Sequence, residues 1–224
     1  MRILALETSS QSCSVALWLD GQIFFRHEQG ARRQTELVLP MVEALLQQHQ
    51  LTLDQLDGLA FGMGPGAFTG VRVATAVAQG LAFAADLPVV GVSTLAACAL
   101  QARLSLGSDA VVLPVFDARM GELYMGAYEC GVDRVSCLID DQLCSPQHLP
   151  DLNVSSCVVA GSGVIYQQAL QDRYPVSQCL PDIEPTASAV ATLAITEFNA
   201  GRAVTADKAM PVYLRNQVVQ GAVR

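Results

Sequence analysis

Leu59-Ala60-Phe61-Gly62-Met63-Gly64-Pro65-Gly66-Ala67-Phe68-Thr69-Gly70-Val71-Arg72, with the alanine- and valine-rich run that continues to Ala85, decides how this chain is read. The apolar run from Leu56 to Phe61 predicts a short buried strand. Four glycines follow within nine residues, and then a helix from Gly70 to Ala85 with Thr69 or Gly66 at its cap. Strand, glycine-rich turn and helix in that order bring backbone N–H groups to a helix N-terminus, a place that favours anions. The loop lacks the Gly-Lys-Ser/Thr ending of a P-loop, and Gly62, Gly64 and Gly66 are not spaced as in the dinucleotide fingerprint. Glycines also let two backbones pass closely. The residue types leave both readings open.

The helix says more. From Gly70 to Ala85 its only charge is Arg72, and Thr75 and Gln79 are its other polar side chains, all on one stripe at helical spacing. Every other position is Val, Ala, Leu, Phe or Gly, the pattern of a helix covered on more than one side. At about 16 residues it is short of the roughly 20 that span a membrane. Either the chain's own core or a partner encloses it.

The composition points the same way. Of 224 residues, 51% are hydrophobic and 15% charged, against a usual charged share of about a quarter. The length allows one or two domains, and the scarcity of charge suggests association. A net charge of −8 and no basic patch exclude a protein that grips a nucleic-acid backbone alone. Seven cysteines without a Cys-x-x-Cys pair, and Arg2 followed by a strand-like run into Glu7, predict free thiols in a reducing cytoplasm and no leader peptide. His27, His49 and His148 lie far apart, which argues against a metal site. No Gly-x-Ser-x-Gly is present, since Gly91-Val92-Ser93 stops short of it.

Outward from the central stretch, strands are predicted over Arg2–Leu6, Ser12–Leu19 and Gln22–Glu28, with Asp20-Gly21 as a two-residue hairpin turn. A helix runs from Arg32 to about Gln50; Leu37, Val38, Met41, Leu45 and Leu46 form its apolar side, and Pro40 implies a late start or a kink. After the central strand and helix come a strand over Pro88–Val92 and a helix capped by Ser93-Thr94, reaching about Leu104. The cycle then restarts with strands over Ala110–Phe116, Glu122–Glu129 and Arg134–Asp140, the last two joined by Gly131-Val132-Asp133. A strand over Cys157–Ala160, a helix from Gly161-Ser162-Gly163 to about Gln171 and a helix over Thr186–Asn199 follow. Both halves thus begin with three strands and then alternate helix and strand, a duplicated α/β architecture with a mixed sheet in each half. The boundary falls near 105/106, giving lobes 1–105 and 106–224, with the terminal segment able to return to the first lobe.

Two polar clusters bear on chemistry. Glu7-Thr8-Ser9-Ser10 sits in the first hairpin, where an actin-like ATPase sets a carboxylate and hydroxyls against phosphates and magnesium. Thr8, Ser9, Ser10 and the Gly161-Ser162-Gly163 loop are therefore candidate nucleotide-binding residues. The plainer reading is that the hydroxyls satisfy turn backbone and Glu7 pairs with an arginine. Asp117 with Arg119 reads as a structural pair at a strand end.

Ile3-Leu4-Ala5-Leu6-Glu7-Thr8-Ser9, the Gly64–Arg72 string and Asp117-Ala118-Arg119-Met120-Gly121-Glu122-Leu123-Tyr124 resemble the TsaB (YeaZ-type) family of bacterial tRNA threonylcarbamoyladenosine biosynthesis proteins. The resemblance runs to the terminal Pro211-Val212-Tyr213-Leu214-Arg215, and the Gly-Pro-Gly-x-Phe-Thr-Gly-Val-Arg string is its most specific part. It implies the actin-like, Hsp70-like and sugar-kinase (ASKHA) fold, compacted to two duplicated ribonuclease-H-like lobes. It also implies a non-catalytic paralogue of TsaD, the subunit that binds a metal through two histidines on its first long helix. Here that helix offers only His49, at its end.

The implied role is tRNA modification in the cytoplasm: supporting TsaD, with the ATPase TsaE, in forming N6-threonylcarbamoyladenosine beside the tRNA anticodon. The resemblance implies no cofactor for this chain, ATP and a metal ion in the partner subunits, tRNA met through the complex, no membrane, and a homodimer when alone. Nothing in the residues supports the peptidase label that older family names carry. The alternative from another class is an actin-like ATPase or small-molecule kinase. If the two helices of the first lobe lie side by side, Leu37, Met41, Val73, Val77 and Leu81 form an exposed apolar face, with Ala74 and Ala78 letting a partner helix approach.

Overall fold

The structure, a computed structural model, describes residues 1–29, 33–131 and 134–215. Strands β1 (Arg2–Glu7), β2 (Ser12–Leu19) and β3 (Gln22–Gln29) form an antiparallel meander. Asp20 and Gly21, both at positive φ, close its hairpin as the sequence predicts. Helix α1 (Gln34–Gln48) leads to β4 (Gly58–Gly64), parallel to β1. Helix α2 (Phe68–Ala85) leads to β5 (Val89–Ser93), parallel to β4, and α3 (Thr94–Leu106) ends the first cycle. The second cycle is β6 (Ala110–Arg119), β7 (Glu122–Cys130), β8 (Val135–Cys144), β9 (Cys157–Ala160), α4 (Gln167–Arg173), β10 (Val176–Leu180) and α5 (Ala187–Asn199).

The sheets run β3-β2-β1-β4-β5 and β10-β9-β6-β7-β8, so the second, read from its far edge, repeats the first strand for strand. The duplication expected from the sequence is therefore one of topology. The helices are not shared out by halves. Helices α1 and α2 cover one face of the first sheet through Val38, Leu45, Ala74, Ala78 and Ala82. Its other face is covered by α5 from the chain's far end, with Val190, Ala191 and Ala194 on Ile3, Ala5 and Val92. Reciprocally, α3 lays Leu95, Cys98, Ala99 and Ala102 on the second sheet. A cut at 105/106 thus separates α3 from the sheet it packs on, and leaves α5 in the half that does not hold its sheet.

Several elements differ from expectation. Helix α1 passes unbroken through Pro40, because Pro40 and Glu36, whose carbonyl loses its donor, both lie on the exposed side where water replaces the bond. Strand β4 continues to Gly64, so Gly62 and Gly64 are strand residues. The segment after Gly161 is a 3-10 turn over Ser162–Tyr166 before α4 begins. Strand β10 was not foreseen: it is five residues between Pro175 and Pro181, with Ser177 and Gln178 exposed, too short and polar to show a period. The expected turn at Val132-Asp133 and the start of the first helix at Arg32 lie outside the described residues.

Candidate functional site

The glycine loop closes on the turn after β1. The Ala67 N–H donates to the Ser9 carbonyl at 2.8 Å, and Thr8 Oγ1 donates to the Gly70 carbonyl at 2.6 Å. A Cβ on Gly70 would stand 1.9 Å from the Thr8 carbonyl oxygen, one on Gly66 2.7 Å from Ser9 Cβ, and one on Gly62 1.8 Å from Glu7 Oε2. Of the two readings left open by the sequence, close passage of backbones is what the structure displays. No side chain caps α2; its N-cap is Ala67 rather than Thr69 or Gly66. Among the described residues, Glu7 does not pair with an arginine. It is buried, its Oε1 accepts the Ser9 N–H, and its Oε2 has no hydrogen-bond partner among the described residues. Burial, reinforced by Glu184, pushes its carboxyl up to about 7.

The candidate nucleotide residues are likewise engaged in the fold. Ser9 is buried, and Ser10 Oγ donates to Glu184 Oε2 at 3.1 Å. Gly161 and Gly163 lie against the backbone of Val115. Ser162 Oγ accepts the Asp117 N–H at 3.2 Å. Asp117 pairs with Arg119, as the sequence suggests.

The α1–α2 face needs a correction. Ala74 and Ala78 are fully buried against the first sheet and Met41 nearly so, so these three are core residues and offer nothing to a partner. Leu37, Val73, Val77 and Leu81 are half-buried and pack against the same core. At about 100° per residue, burying Val71, Ala74, Ala78 and Ala82 turns Thr69, Arg72, Ala76, Gly80, Phe83 and Ala84 outward. Phe83 is 84% exposed and Leu39, on α1, 49%. The outer face of α2 is thus small and apolar with one charge.

The polar stripe of α2 faces the C-terminal segment. Gln79 Nε2 donates to the Ala209 carbonyl at 2.7 Å, and Thr75 Oγ1 turns back to the Val71 carbonyl. Arg72 Nε donates to Tyr213 Oη at 2.8 Å while its guanidinium lies 3.4 Å from the centre of the Phe68 ring. Beyond it, Arg215 Nη2 donates to Glu122 Oε2 at 2.6 Å and to the Ala118 carbonyl at 3.1 Å. The sequence strings singled out above therefore meet in space.

Comparison with known proteins bears on that convergence. The family profile described as TsaD, tRNA N6-adenosine threonylcarbamoyltransferase, matches residues 27–210. The chain is 35% identical to the tRNA threonylcarbamoyladenosine biosynthesis protein TsaB of Escherichia coli, across 97% of this chain and 96% of that protein. It is 38% identical to the TsaB of Haemophilus influenzae, across 97% and 95%. The chain belongs to the TsaB family. The YeaZ structure from Pseudomonas aeruginosa superposes with a TM-score of 0.89 at 36% identity, covering 95% of this chain and 99% of that one. The fold is accordingly the duplicated ASKHA fold.

In this TsaB family member a polar clasp joins the two sheets. Asp141 on β8 accepts hydrogen bonds from Tyr128 Oη on β7 and from Ser93 Oγ, each at 2.5 Å, and Ser93 also caps α3 by accepting the Ala96 N–H. Burial raises the Asp141 carboxyl above its ordinary range, while its two donors act the other way. Sequence reading assigned Ser93 its cap and missed the clasp, whose members lie 35 and 48 residues from it. Among the described residues, no three of His, Cys, Asp and Glu gather to hold a metal ion. At 18 residues α2 is longer than predicted and is apolar enough to cross a membrane, but its inner side is built into the TsaB core.

Proposed function

We propose that this chain is a non-catalytic subunit in tRNA threonylcarbamoyladenosine biosynthesis that binds and supports a TsaD-type catalytic subunit in the cytoplasm. A TsaE-type ATPase is the further member of the assembly, ATP and the metal ion belong to the partner subunits, and tRNA is met through the complex. Family membership supports the pathway. The observation that carries the subunit role is the outer face of α2, apolar and small along its length, with Phe83 84% exposed. A helix or helix pair of a partner fits such a face, and alone the chain would use it for a C2 homodimer. The closed glycine loop, with Glu7 turned toward Gly62, favours this reading over an actin-like ATPase or small-molecule kinase.

Sedimentation of the purified chain, alone and mixed with its TsaD counterpart, tests the proposal. A dimer that exchanges into a one-to-one heterodimer is expected. Phe83→Glu and Ala76→Glu should abolish both associations by placing an unpaired charge in the interface, with unchanged thermal unfolding because both residues are exposed. Val77 serves less well, since it is half-buried in the chain's own core. A wild-type monomer that ignores TsaD, or variants that associate normally, would overturn the subunit role.

A further inference from the structure

The C-terminal segment from Met210 to Arg215 has no role in the reading above, yet it touches both sheets' ends. Its Val212 N–H donates to the Met63 carbonyl at 2.8 Å, extending the end of β4. The Val212 carbonyl oxygen lies 2.9 Å from where a Cβ on Gly64 would be, and Gly64 holds φ +105°, so glycine is required there twice over. Tyr213 closes on Arg72 and Phe68 in the first turn of α2. Arg215, whose side chain is only 17% exposed, then inserts into the β6–β7 hairpin between the carbonyls of Ala118 and Arg119, the Met120 sulfur and the Glu122 carboxylate. That hairpin is formed by Arg119 and Met120 at positive φ, which holds its carbonyls in place for the guanidinium.

We propose that Met210–Arg215 is a strap that couples the β6–β7 hairpin of the second sheet to the first turn of α2, and so sets the geometry of the outer α2 face; this rests on that face being the docking surface. The strap lies along one edge of α2, where Arg72 and Gln79 point, and Val73 and Val77, packed on the core beneath α2, lie on the other. Helix α2 therefore cannot rotate or shift its first turn without breaking the Tyr213 contacts, and the strap cannot follow it without withdrawing Arg215. A ligand or subunit that occupies the hairpin would change the affinity of the α2 face, and the reverse, as any coupling must be reciprocal.

Amide exchange followed by NMR on the full chain, with Arg215→Ala, Arg215→Lys and Tyr213→Ala, tests this. Arg215→Ala alters nothing on α2 directly. The coupling predicts roughly ten-fold faster exchange for the Val212 amide and also for Val71 and Arg72, and association with TsaD weakened at least about five-fold. Arg215→Lys, which keeps the charge but loses the forked donors, should fall between. Exchange that rises only within residues 118–122, or a freed strap with unchanged association, would overturn the coupling. If the wild-type chain never associates with TsaD, the proposed function falls instead, and the Val71 and Arg72 amides alone decide the strap: unchanged exchange there overturns it.

Discussion

Glu7 is a buried carboxyl with glycine packed against it, and it makes stability depend on pH. Its folded value of about 7 lies above the ordinary 4.5, so the folded chain keeps a proton that the unfolded chain has lost. Its contribution is therefore complete below about pH 4.5 and declines as pH rises through about 7, by on the order of 3 kcal/mol in all. Glu7→Gln should flatten that decline: urea midpoints at pH 5.5 and 8.5 are expected to differ less in the variant, and the variant should be the more stable at pH 8.5. The glycines supply a second contrast. Gly70→Ala forces a methyl against the Thr8 carbonyl at 1.9 Å and should cost about 3 kcal/mol. Gly80→Ala meets nothing within 4 Å and should stabilise the chain by up to about 1 kcal/mol, measured by the same midpoints. The strings containing these residues were visible in the sequence, but the reason for each glycine was not. For Gly70 that reason is an atom of Thr8, 62 residues away in the chain, which no local pattern encodes.

At the scale of elements, strands and helices with caps or turns of their own were legible: the Asp20-Gly21 hairpin and Ser93 on α3. Which way α2 faces was not, because a helix apolar nearly all round gives little direction of its own; the fold buried Ala74 and Ala78 and left Phe83 outside. Its polar stripe was the usable signal, and it marks the seat of the C-terminal segment rather than solvent. The clasp between sheets is an element-scale device as well. Tyr128→Phe removes one of the two donors to a largely buried Asp141, and should cost about 1–3 kcal/mol. Tryptophan fluorescence from Trp18, on the first sheet, and far-ultraviolet circular dichroism should still report one transition, with its urea midpoint lowered. Two separated transitions would mean that the clasp, and not the crossing of α3 and α5, is what makes the sheets unfold together.

At the scale of the molecule, the exchange of α3 and α5 predicts that the two lobes unfold as one cooperative body. A fragment of residues 1–106 keeps α3 without its sheet and bares Ile3, Ala5, Ala16, Ala60, Val90 and Val92, the face that α5 covers. Calorimetry of that fragment should show no cooperative transition, whereas the full chain should show one. A sharp transition in the fragment would mean that the first lobe folds alone. The repeated succession of elements made the duplicated α/β architecture readable from sequence, since it needs only the order of strands and helices. The crossing of helices was not readable, because α3 and α5 are apolar enough to suit either sheet and only the three-dimensional closure assigns them.

That crossing has a consequence for how the protein is made. A ribosome releases the chain from its N-terminus, and α5 at Ala187–Asn199 emerges after every strand of both sheets. Until then the first sheet, although all its strands are already outside, has one greasy side covered only in part, by Ala97 and Leu100 of α3. Folding of that side must therefore wait for α5, and the nascent chain passes that interval as a client for chaperones or a hazard for its neighbours.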